Sequence, residues 1–475
     1  MFRVLSRRRL APLARRNITT TTPHIPQESL GDIPTTQSPI TSTLHFFNSV
    51  TGEGKQIPSY RVLDGAGNVI PGAEIPEISR DTARKIYETM VLLPTMDNLL
   101  YNIQRQGKIS FYMTAYGEEA TIVGTAAGLA MDDEVLGQYR EMGVLLWRGW
   151  GIDSAMSQCF GNEEDFSSKG RQMPVHWGSP AHHFHTISSP LATQIPQAAG
   201  VAYALRRDPF RRGKSCAAVY FGEGAASEGD FHAGMLFAST IPSPTLFIAR
   251  NNGFAISTPA SEQYFGDGIA ARGPAYGVDT IRVDGNDVLA VLAATREARK
   301  RCVEGGRAVL LEAMTYRVSH HSTSDDSFAY RPRQEVEDRK RIDNPIARFR
   351  LFLHSQGWWT DGEEEELKAR LKKDVMTAFK RAEGVKRHEL KELFTDVYGG
   401  EEPWHLKEQR EELAGLIKKY GADWEPWRSE LKKFKDNDEQ LQFVLVSSGI
   451  LNQEVNKRLP NRGGTEHILA PLRPA

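Results

Sequence analysis

Glu223 and Asn252 are the side chains whose positions in the sequence are most typical of metal chemistry. Glu223 lies between Gly222 and Gly224, directly after an apolar run of strand length, and Asn252 follows the next such run. Because ligands bind at the carboxyl ends of the strands in open parallel sheets, we expect the two side chains to meet at one edge. Carboxylate and amide oxygens, with phosphate and water, are ligands that Mg²⁺ takes. The sequence therefore predicts a magnesium–diphosphate site.

Other phosphate-binding patterns fit this stretch less well. Gly222, Gly224 and Gly229 leave a second gap that is too long for the dinucleotide fingerprint, and no Lys follows them. A Gly-Lys-Ser triplet at 213–215 precedes the strand, whereas the lysine of a nucleotide-triphosphate loop follows it. Taken singly, Glu223 or Asn252 could equally be an ordinary turn or loop residue with no metal to bind.

The strands that must position these residues alternate with helices. Apolar runs at 216–221 and 245–249 are followed by strand-like runs at 277–284 and 308–315, with a helical segment at 288–303 between the last two. Such alternation predicts an α/β fold with a doubly wound, mostly parallel sheet.

Three further segments carry weaker signals. Apolar spacing predicts a helix over 81–106, capped by Asp81, with Pro94 expected to kink or split it. A small-residue helix is expected over 116–131. The stretch 150–187 has little periodicity and many aromatic residues, which favours an ordered functional loop.

The chain ends divide into regions of different composition. Residues 1–27 are rich in arginine and hydroxyl residues and contain no acid, which is typical of a mitochondrial transit peptide. Residues 28–80 are interpreted as an extended N-terminal arm, and 81–345 as the α/β domain. A helical, charged C-terminal region at 346–427, with a helix expected over 361–383, precedes a tail at 428–475 of unknown role.

The composition excludes several classes of protein. The 475 residues carry a net charge of -1, which argues against nucleic acid as the main partner. The three cysteines form no C-x-x-C pair, so neither a disulfide framework nor a zinc site is expected. No apolar run is long enough to span a bilayer.

The glycine-flanked acid, the helix and the asparagine pair together resemble the thiamine-diphosphate motif. Four further segments extend this resemblance to the alpha subunits of branched-chain 2-oxo acid dehydrogenases, from about residue 58 to about 420. They read Y-R-E at 139–141, G-R-Q-M-P-V-H at 170–176, S-S-P-L-A-T-Q at 188–194 and Y-R-V-S-H-H-S-T-S-D-D at 316–326.

The resemblance implies a thiamine-diphosphate-binding fold and oxidative decarboxylation of the branched-chain 2-oxo acids from valine, leucine and isoleucine, with acyl transfer to lipoamide. It places the side chains of Glu223 and Asn252 and the carbonyl of Phe254 on Mg²⁺. The family more often has Asp and Tyr at the first and last of these positions. A backbone ligand tolerates the second change.

The resemblance also assigns the cofactor contacts. Arg140 and Arg250 would bind the diphosphate, since guanidinium groups match phosphate oxygens. Ser189 and Leu191 would contact the pyrimidine, and Gln138 and Tyr139 the substrate pocket. The remaining cofactor contacts are Gly222, Gly224 and Ala225, and those to a K⁺ ion are Ser188, Pro190, Thr193 and Gln194.

A loop after residue 316 carries the remaining implied chemistry. The resemblance makes His321 a phosphate contact and a proton donor during acyl transfer, a role suited to an ordinary histidine pKa of about 6.5. It makes Ser322 the target of a regulatory kinase, opposed by a phosphatase. The second phosphorylated position of the family falls on Pro332, so that site is absent.

The implied partners follow from what the chain lacks. Thiamine enzymes activate the cofactor with a glutamate on a separate pyrimidine-binding module, and only the diphosphate module is recognised here. A beta subunit is therefore expected, in an α2β2 heterotetramer that serves a lipoyl-bearing acyltransferase core in the mitochondrial matrix. No nucleic acid partner is expected.

Two alternatives remain open at this point. A pyruvate dehydrogenase alpha subunit would share the motif, although its usual form has Asp in place of Glu223 and a differently worded phosphorylation loop. A binding subunit that has lost its chemistry would keep the fold without the polar residues that are intact here.

Overall fold

The computed structural model describes residues 56–395, 397–420 and 423. A seven-stranded sheet has the strand order β1-β8-β9-β5-β4-β2-β3, and all of its neighbouring pairs are parallel. A separate antiparallel pair is formed by β6 and β7. The strands are β1 Ser59–Tyr60, β2 Glu134–Leu136, β3 Phe184–His185, β4 Ala217–Gly222, β5 Thr245–Asn251, β6 Phe254–Ala255, β7 Thr258–Pro259, β8 Asp279–Asp284 and β9 Val309–Met314.

Helices connect these strands and extend beyond them at the C-terminal side. They are α1 Arg80–Arg105, α2 Glu119–Gly128, α3 Met142–Trp147, α4 Ile152–Phe160, α5 Gln194–Arg207, α6 Gly229–Thr240, α7 Ala260–Gln263, α8 Arg272–Ala275, α9 Val288–Gly305, α10 Arg333–Ile342, α11 Pro345–Ser355, α12 Asp361–Gly384 and α13 Trp404–Lys419. The α/β fold with a mostly parallel sheet and a helical C-terminal region is confirmed.

The sheet is covered on both faces, as strand β4 shows. Ala218 and Tyr220 belong to a core shared with α1, α2 and α9. Ala217, Val219 and Phe221 belong to a second core shared with α5 and α6. Because side chains alternate along a strand, a strand buried on both faces reads as one continuous apolar run, and this explains the sequence at 216–221.

Strand register brings the polar residues to one edge. Gly222 at the end of β4 is paired with Arg250 of β5. Glu223 and Asn252 therefore leave adjacent parallel strands at nearly the same level, as predicted. Strand β2 pairs with the other side of β4, so Gln138 emerges at the same edge.

Helix α1 corrects one prediction, the Asp81 cap, and narrows another, the effect of Pro94. Its N-cap is Ser79, whose hydroxyl accepts a hydrogen bond from the Thr82 amide at 3.1 Å, and Asp81 lies in the first turn. The helix runs through Pro94 as one element and is not split there. An interior proline costs a helix ~3 kcal/mol. Packing offsets this cost, since Leu93 and Met96 beside it are fully buried.

The N-terminal part of the described chain belongs to the sheet. The segment expected to be an arm contains β1, which pairs with β8. Val62 and Leu63 then become fully buried, and their amides donate to Asp287 Oδ2 at 2.7 and 2.6 Å. This part of 28–80 is thus integrated into the body, and residues 28–55 lie outside the described range.

Two further predictions, for the stretch 150–187 and for a helix over 361–383, can be compared with the structure. The stretch 150–187 is not all loop, since it contains α4. The helix expected over 361–383 is confirmed as α12, with a capping box between Thr360 and Glu363. The transit segment 1–27 and the tail 428–475 lie outside the described residues. Within the described part of the chain, none of the helices combines the length and apolar character needed to cross a membrane.

Candidate active site

Glu223 and Asn252 lie together and are both buried. The Oε2 atom of Glu223 accepts a hydrogen bond from the Asn252 amide at 3.3 Å. The Asn252 side chain donates through Nδ2 to Glu118 Oε1 at 2.7 Å, and its Oδ1 accepts from the Phe254 amide at 3.2 Å. Since the nitrogen end of the amide is engaged by Glu118, the Asn252 oxygen is held on the side opposite Glu118.

The other oxygen of Glu223 is chemically incomplete. Glu223 is 1% exposed, and its Oε1 has no hydrogen-bond partner among the described residues. Burial, followed by the nearby Glu118 carboxylate, raises the pKa of Glu223 above its ordinary value. A buried carboxylate oxygen without a donor is costly, and a cation beside it would supply the missing partner.

The turn between β4 and α6 is shaped by one close contact. A Cβ atom at Gly224 would lie 2.7 Å from the Ala255 Cβ, so a side chain does not fit there. Gly222 has no such restriction, and its amide donates to Gln138 Oε1 at 2.6 Å. Ala225 follows, buried, at the start of a short 3-10 helix.

Arg140 and Arg250 bring two buried positive charges to the same edge. Arg250 forms ion pairs with Glu118 and, at 2.7 Å, with Glu141 Oε1. Arg140 donates to the carbonyl oxygens of Thr114 and, at 2.8 Å, of His321. Arg140 Nε and Arg250 Nη2 have no hydrogen-bond acceptor among the described residues. Buried N–H groups of two cations thus remain available for an anion.

Gln138 and Tyr139 have different surroundings. Gln138 is buried, and its Oε1 accepts the hydrogen bond from the Gly222 amide, which links the chain after β2 to the end of β4. Tyr139 is half-buried, with the guanidinium carbon of Arg140 5.2 Å from its ring centroid and the His321 ring 6.1 Å away, edge to face. Of the two, the Tyr139 ring is the one that lines the space next to His321.

The loop at 188–194 brings several oxygen atoms together. Ser188 Oγ lies 3.2 Å from Thr193 Oγ1, which donates to the Pro190 carbonyl at 3.1 Å. Gln194 Nε2 donates instead to the Tyr220 carbonyl at 2.9 Å. Ala192 between them is buried with a φ of 65°, a strained conformation for a residue other than glycine.

Ser189 and Leu191 lie in the exposed part of this loop. Ser189 Oγ lies 2.7 Å from His176 Nε2. Because His176 Nδ1 lies 3.0 Å from the Met173 carbonyl and donates to it, Nε2 is the acceptor and the serine hydroxyl donates. Leu191 is 46% exposed, a high value for a leucine at the edge of a buried site.

His321 is held as a neutral ring in this structure. Its Nδ1 lies 3.4 Å from Arg140 Nη2 and 3.4 Å from Arg317 Nη1. Burial, reinforced by these two guanidinium groups, lowers the pKa of His321 to about 3. This pKa lies well below the ordinary value of about 6.5 that suits a histidine to proton transfer. Since guanidinium groups only donate, Nδ1 accepts and the proton resides on Nε2.

The loop that carries His321 is fixed by buried polar contacts. Asp325 Oδ2 accepts from the His321 amide at 2.7 Å and from the Tyr330 hydroxyl at 2.8 Å. Arg317 donates to that hydroxyl at 2.7 Å, and Arg331 donates to the carbonyl of Arg317. Arg317, Asp325, Tyr330 and Arg331 therefore contact one another or His321 and hold the loop in place.

Ser322 is buried in the folded loop, at 8% exposure. Its hydroxyl accepts from the Ser324 amide at 3.2 Å, and its carbonyl accepts from the Asp325 amide at 3.2 Å. Little of this serine is therefore accessible in the folded loop.

Comparison with known proteins agrees with this site. The family model described as "Dehydrogenase E1 component" matches residues 87–391. The chain belongs to this family. The E1 component family implies thiamine diphosphate as the cofactor. The unpartnered oxygen of Glu223 and the unpartnered N–H groups of Arg140 and Arg250 fit a metal-bound diphosphate.

Individual members of the E1 component family are similar over most of the chain. The human protein named "2-oxoisovalerate dehydrogenase subunit alpha, mitochondrial" is 55% identical over 368 residues, covering 78% of this chain and 82% of the human one. The relative of that name from Caenorhabditis elegans is 52% identical, covering 77% and 83%. The Arabidopsis thaliana "subunit alpha 1, mitochondrial" is 49% identical and covers 78% of each chain.

The sequence interpretation missed three residues of this E1 site. Glu118 and Glu141 hold the arginines, and His176 accepts from Ser189. Glu141 and His176 lie inside the segments that carried the resemblance, but neither had been given a role. The position of Glu118 before a small-residue helix was the available signal, yet nothing in a single sequence distinguishes a buried carboxylate from an exposed one.

Proposed function

We propose that this chain is the alpha subunit of a mitochondrial branched-chain 2-oxo acid dehydrogenase. It takes part in the thiamine-diphosphate-dependent oxidative decarboxylation of the 2-oxo acids derived from valine, leucine and isoleucine. The proposal is supported by 49 to 55% identity to relatives named 2-oxoisovalerate dehydrogenase subunit alpha. The observation that carries it is the unpartnered Glu223 oxygen, buried beside Asn252 and two arginines.

Mg²⁺ would be held by Glu223 Oε1, Asn252 Oδ1 and the Phe254 carbonyl. These are the hard oxygens that this ion prefers. The Phe254 carbonyl also lies 3.4 Å from Arg317 Nη1, and a carbonyl has two lone pairs, so both contacts are compatible. Arg140 and Arg250 would bind the diphosphate with the N–H groups that lack acceptors. Ser189 and Leu191 would contact the pyrimidine from the exposed loop.

The bound thiazolium supplies the electron sink that decarboxylation of a 2-oxo acid requires. The residues of this chain bind and orient it. Two buried guanidinium groups would donate to the diphosphate through their unpartnered N–H groups, and a charge-assisted hydrogen bond is stronger in a buried site than in water. The Ser188, Pro190 and Thr193 oxygens would hold K⁺, with Gln194 nearby, and this would stabilise the strained turn at Ala192.

His321 would hold a proton at Nε2 and, as a neutral imidazole, donate a hydrogen bond through it to a phosphate oxygen; the protonated ring would be the form that gives up a proton during acyl transfer. Arg140 and Arg317 keep the ring neutral and fix this tautomer by donating to Nδ1. An incoming diphosphate would weaken their effect on the ring, because it adds negative charge beside both guanidinium groups. The pKa of His321 should then rise toward its ordinary range.

The site requires a second chain. The loop proposed to contact the pyrimidine is exposed at the edge of the seven-stranded sheet of this chain. A beta subunit would cover that loop and supply the activating glutamate, in an α2β2 heterotetramer. The assembled site would then transfer its acyl group to a lipoyl-bearing acyltransferase core. A kinase acting on Ser322, and a phosphatase reversing it, would regulate this step.

A coupled assay tests the proposal. The chain is produced with its beta subunit, and NADH formation is followed with the lipoyl-bearing core and the final dehydrogenase present. The three branched-chain 2-oxo acids and pyruvate are compared as substrates. The proposal predicts the highest kcat/KM values for the branched substrates. A preference for pyruvate would instead identify a pyruvate dehydrogenase alpha subunit.

A further inference from the structure

A second cavity, of about 350 Å³, lies behind the loop that carries His321. Its wall is formed by α1, the start of α2, the chain after β8 and β9, and helices α10, α11 and α12. Glu223, Asn252, Arg140, Arg250 and His321 are all absent from its lining. It is therefore separate from the cofactor site, and its volume falls within the ~300–1,000 Å³ of small-molecule sites.

The cavity is preformed, because its walls are fixed to one another. The Val318 amide donates to the Tyr116 carbonyl at 3.2 Å. Gly117 packs so closely that a Cβ there would lie 2.0 Å from the Tyr316 carbonyl oxygen. The Tyr316 hydroxyl donates to Glu335 at 2.8 Å, which joins this wall to α10. A ligand would thus enter without rearranging the backbone, which limits the ordering cost of binding.

One mostly buried polar residue in the lining, Asn286, has a side chain without a hydrogen-bond partner among the described residues. Asn286 is 8% exposed and follows β8. Its backbone amide donates to Asp284, but its side-chain amide forms no hydrogen bond to any described residue. The amide atoms of Asn286 are not among the fully enclosed unpartnered atoms, so they are accessible from the cavity, where a ligand or a bound water would supply their partner.

The charges in the lining favour an anion. Asp343 is paired with Arg339 at 2.9 Å, and Glu364 is paired with Lys368 at 3.2 Å. The Lys340 side chain has no ion pair or hydrogen bond within the described part of the chain, and as an exposed residue of the lining it presents its positive charge at the cavity rim. Burial raises the pKa of Glu119 to about 8, so this carboxyl does not oppose an anion at neutral pH.

The rest of the lining is suited to hydrocarbon. Val318, Pro345, Ile346 and Ala347 contribute aliphatic surface, and aromatic rings complete the wall. We propose that this cavity binds a small monocarboxylate with a short branched or aromatic side chain. The carboxylate would accept hydrogen bonds from the Asn286 amide and from Lys340, and the side chain would contact the aliphatic residues.

The probe for this site is 3-methylbutanoate, which has the proposed charge and shape but no oxo group to react. Binding to the α2β2 heterotetramer is followed by hydrogen exchange and calorimetry. The proposal predicts slower exchange at 339–347 and at 316–318 when the probe is added. The neutral isostere 3-methylbutanamide should bind at least about tenfold more weakly, since it lacks the charge that Lys340 attracts.

Two variants make the test specific. Asn286→Asp places a negative charge at the unpartnered amide, and Lys340→Glu reverses an exposed charge without touching the core. Each should weaken probe binding about tenfold or more. Lys372→Ala, which removes an exposed lysine of α12, is the matched control and should bind as the unmodified protein does. Because none of these residues lines the cofactor site, binding of the probe to the substrate pocket would persist in both variants.

The proposal is overturned if the acid and the amide bind equally, if neither variant changes the affinity, or if the probe protects a different segment. Absence of any protection at 339–347 at soluble probe concentrations also overturns it, and identifies the partner of Asn286 as water. These outcomes do not depend on decarboxylation activity, so they are separable from the proposed function.

Discussion

Replacing Glu118 by Gln should weaken magnesium-dependent binding of thiamine diphosphate without changing the shape of the site. Glu118 uses one carboxylate oxygen to accept from Asn252 Nδ2 at 2.7 Å and the other to accept from Arg250. Burial alone would raise the pKa of Glu118, but Arg250 and Arg140 together outweigh burial and lower it. The group is thus a buried carboxylate at neutral pH, with two acceptor atoms in use.

A glutamine in its place has only one acceptor oxygen. Either Asn252 or Arg250 would then face an NH₂ group and lose its acceptor, since both are donors at this contact. Loss of one hydrogen bond to a charged group costs ~1.5–3 kcal/mol. If Asn252 turns to relieve the conflict, its oxygen leaves the metal position. Residues that orient metal ligands in this way typically change metal affinity ~10–100-fold when they are replaced.

The assay is calorimetric titration of thiamine diphosphate into the cofactor-free heterotetramer, at several fixed Mg²⁺ concentrations. We expect the Glu118→Gln protein to bind ~10–100-fold more weakly and to need more Mg²⁺. The neighbouring Glu119→Gln is a matched control, because the pKa of Glu119 is raised to about 8 and its carboxyl is already neutral at pH 7. Equal affinity of the Glu118→Gln and unmodified proteins, with both folded by circular dichroism, would refute the reasoning.

Three further predictions follow from the same geometry. The purified chain alone should not decarboxylate any 2-oxo acid, and adding the beta subunit should restore activity; turnover by the single chain would reject the shared site. Ser322→Glu should reduce flux through lipoamide while sparing decarboxylation with an artificial electron acceptor, because it adds charge to a buried position near Asp325. The control Ser324→Glu, at an exposed position, should have little effect on either rate. Unimpaired lipoamide flux in the Ser322→Glu protein would contradict this prediction. Because the pKa of His321 is lowered to about 3, the unfolded chain takes up a proton below about pH 6.5 that the folded chain does not. The cofactor-free protein should therefore lose stability from pH 7 to pH 5 faster than His321→Gln does, and parallel thermal melts of the two proteins would count against a buried neutral ring.

The sequence was sufficient for the parts of the fold that depend on local patterns. Strands buried on both faces appear as apolar runs, so β4 and β5 were predicted within two residues of their ends. The turn at Gly224 and the meeting of Glu223 with Asn252 followed from strand order. By contrast, β1 is only two residues long, and its pairing with β8 across more than 200 residues leaves no local signal.

What the sequence could not supply were properties that arise from burial and neighbours. The continuity of α1 through Pro94 depends on the packing of Leu93 and Met96, which a proline-based rule does not include. The low pKa of His321 comes from burial together with Arg140, which lies 181 residues away in the chain. Glu118 was missed for the same reason, since its role is defined by its contacts with Arg250 and Asn252.

The most direct test of the central claim is the position of the metal in the assembled enzyme. Crystals of the heterotetramer grown with thiamine diphosphate and Mn²⁺ in place of Mg²⁺ would locate the ion by its anomalous scattering. We expect one peak in each alpha chain, bonded to Glu223 Oε1, to Asn252 Oδ1 and to the Phe254 carbonyl, with the diphosphate against Arg140 and Arg250. A metal peak bound by other residues, or a diphosphate that leaves the Glu223 oxygen without a partner, would contradict it.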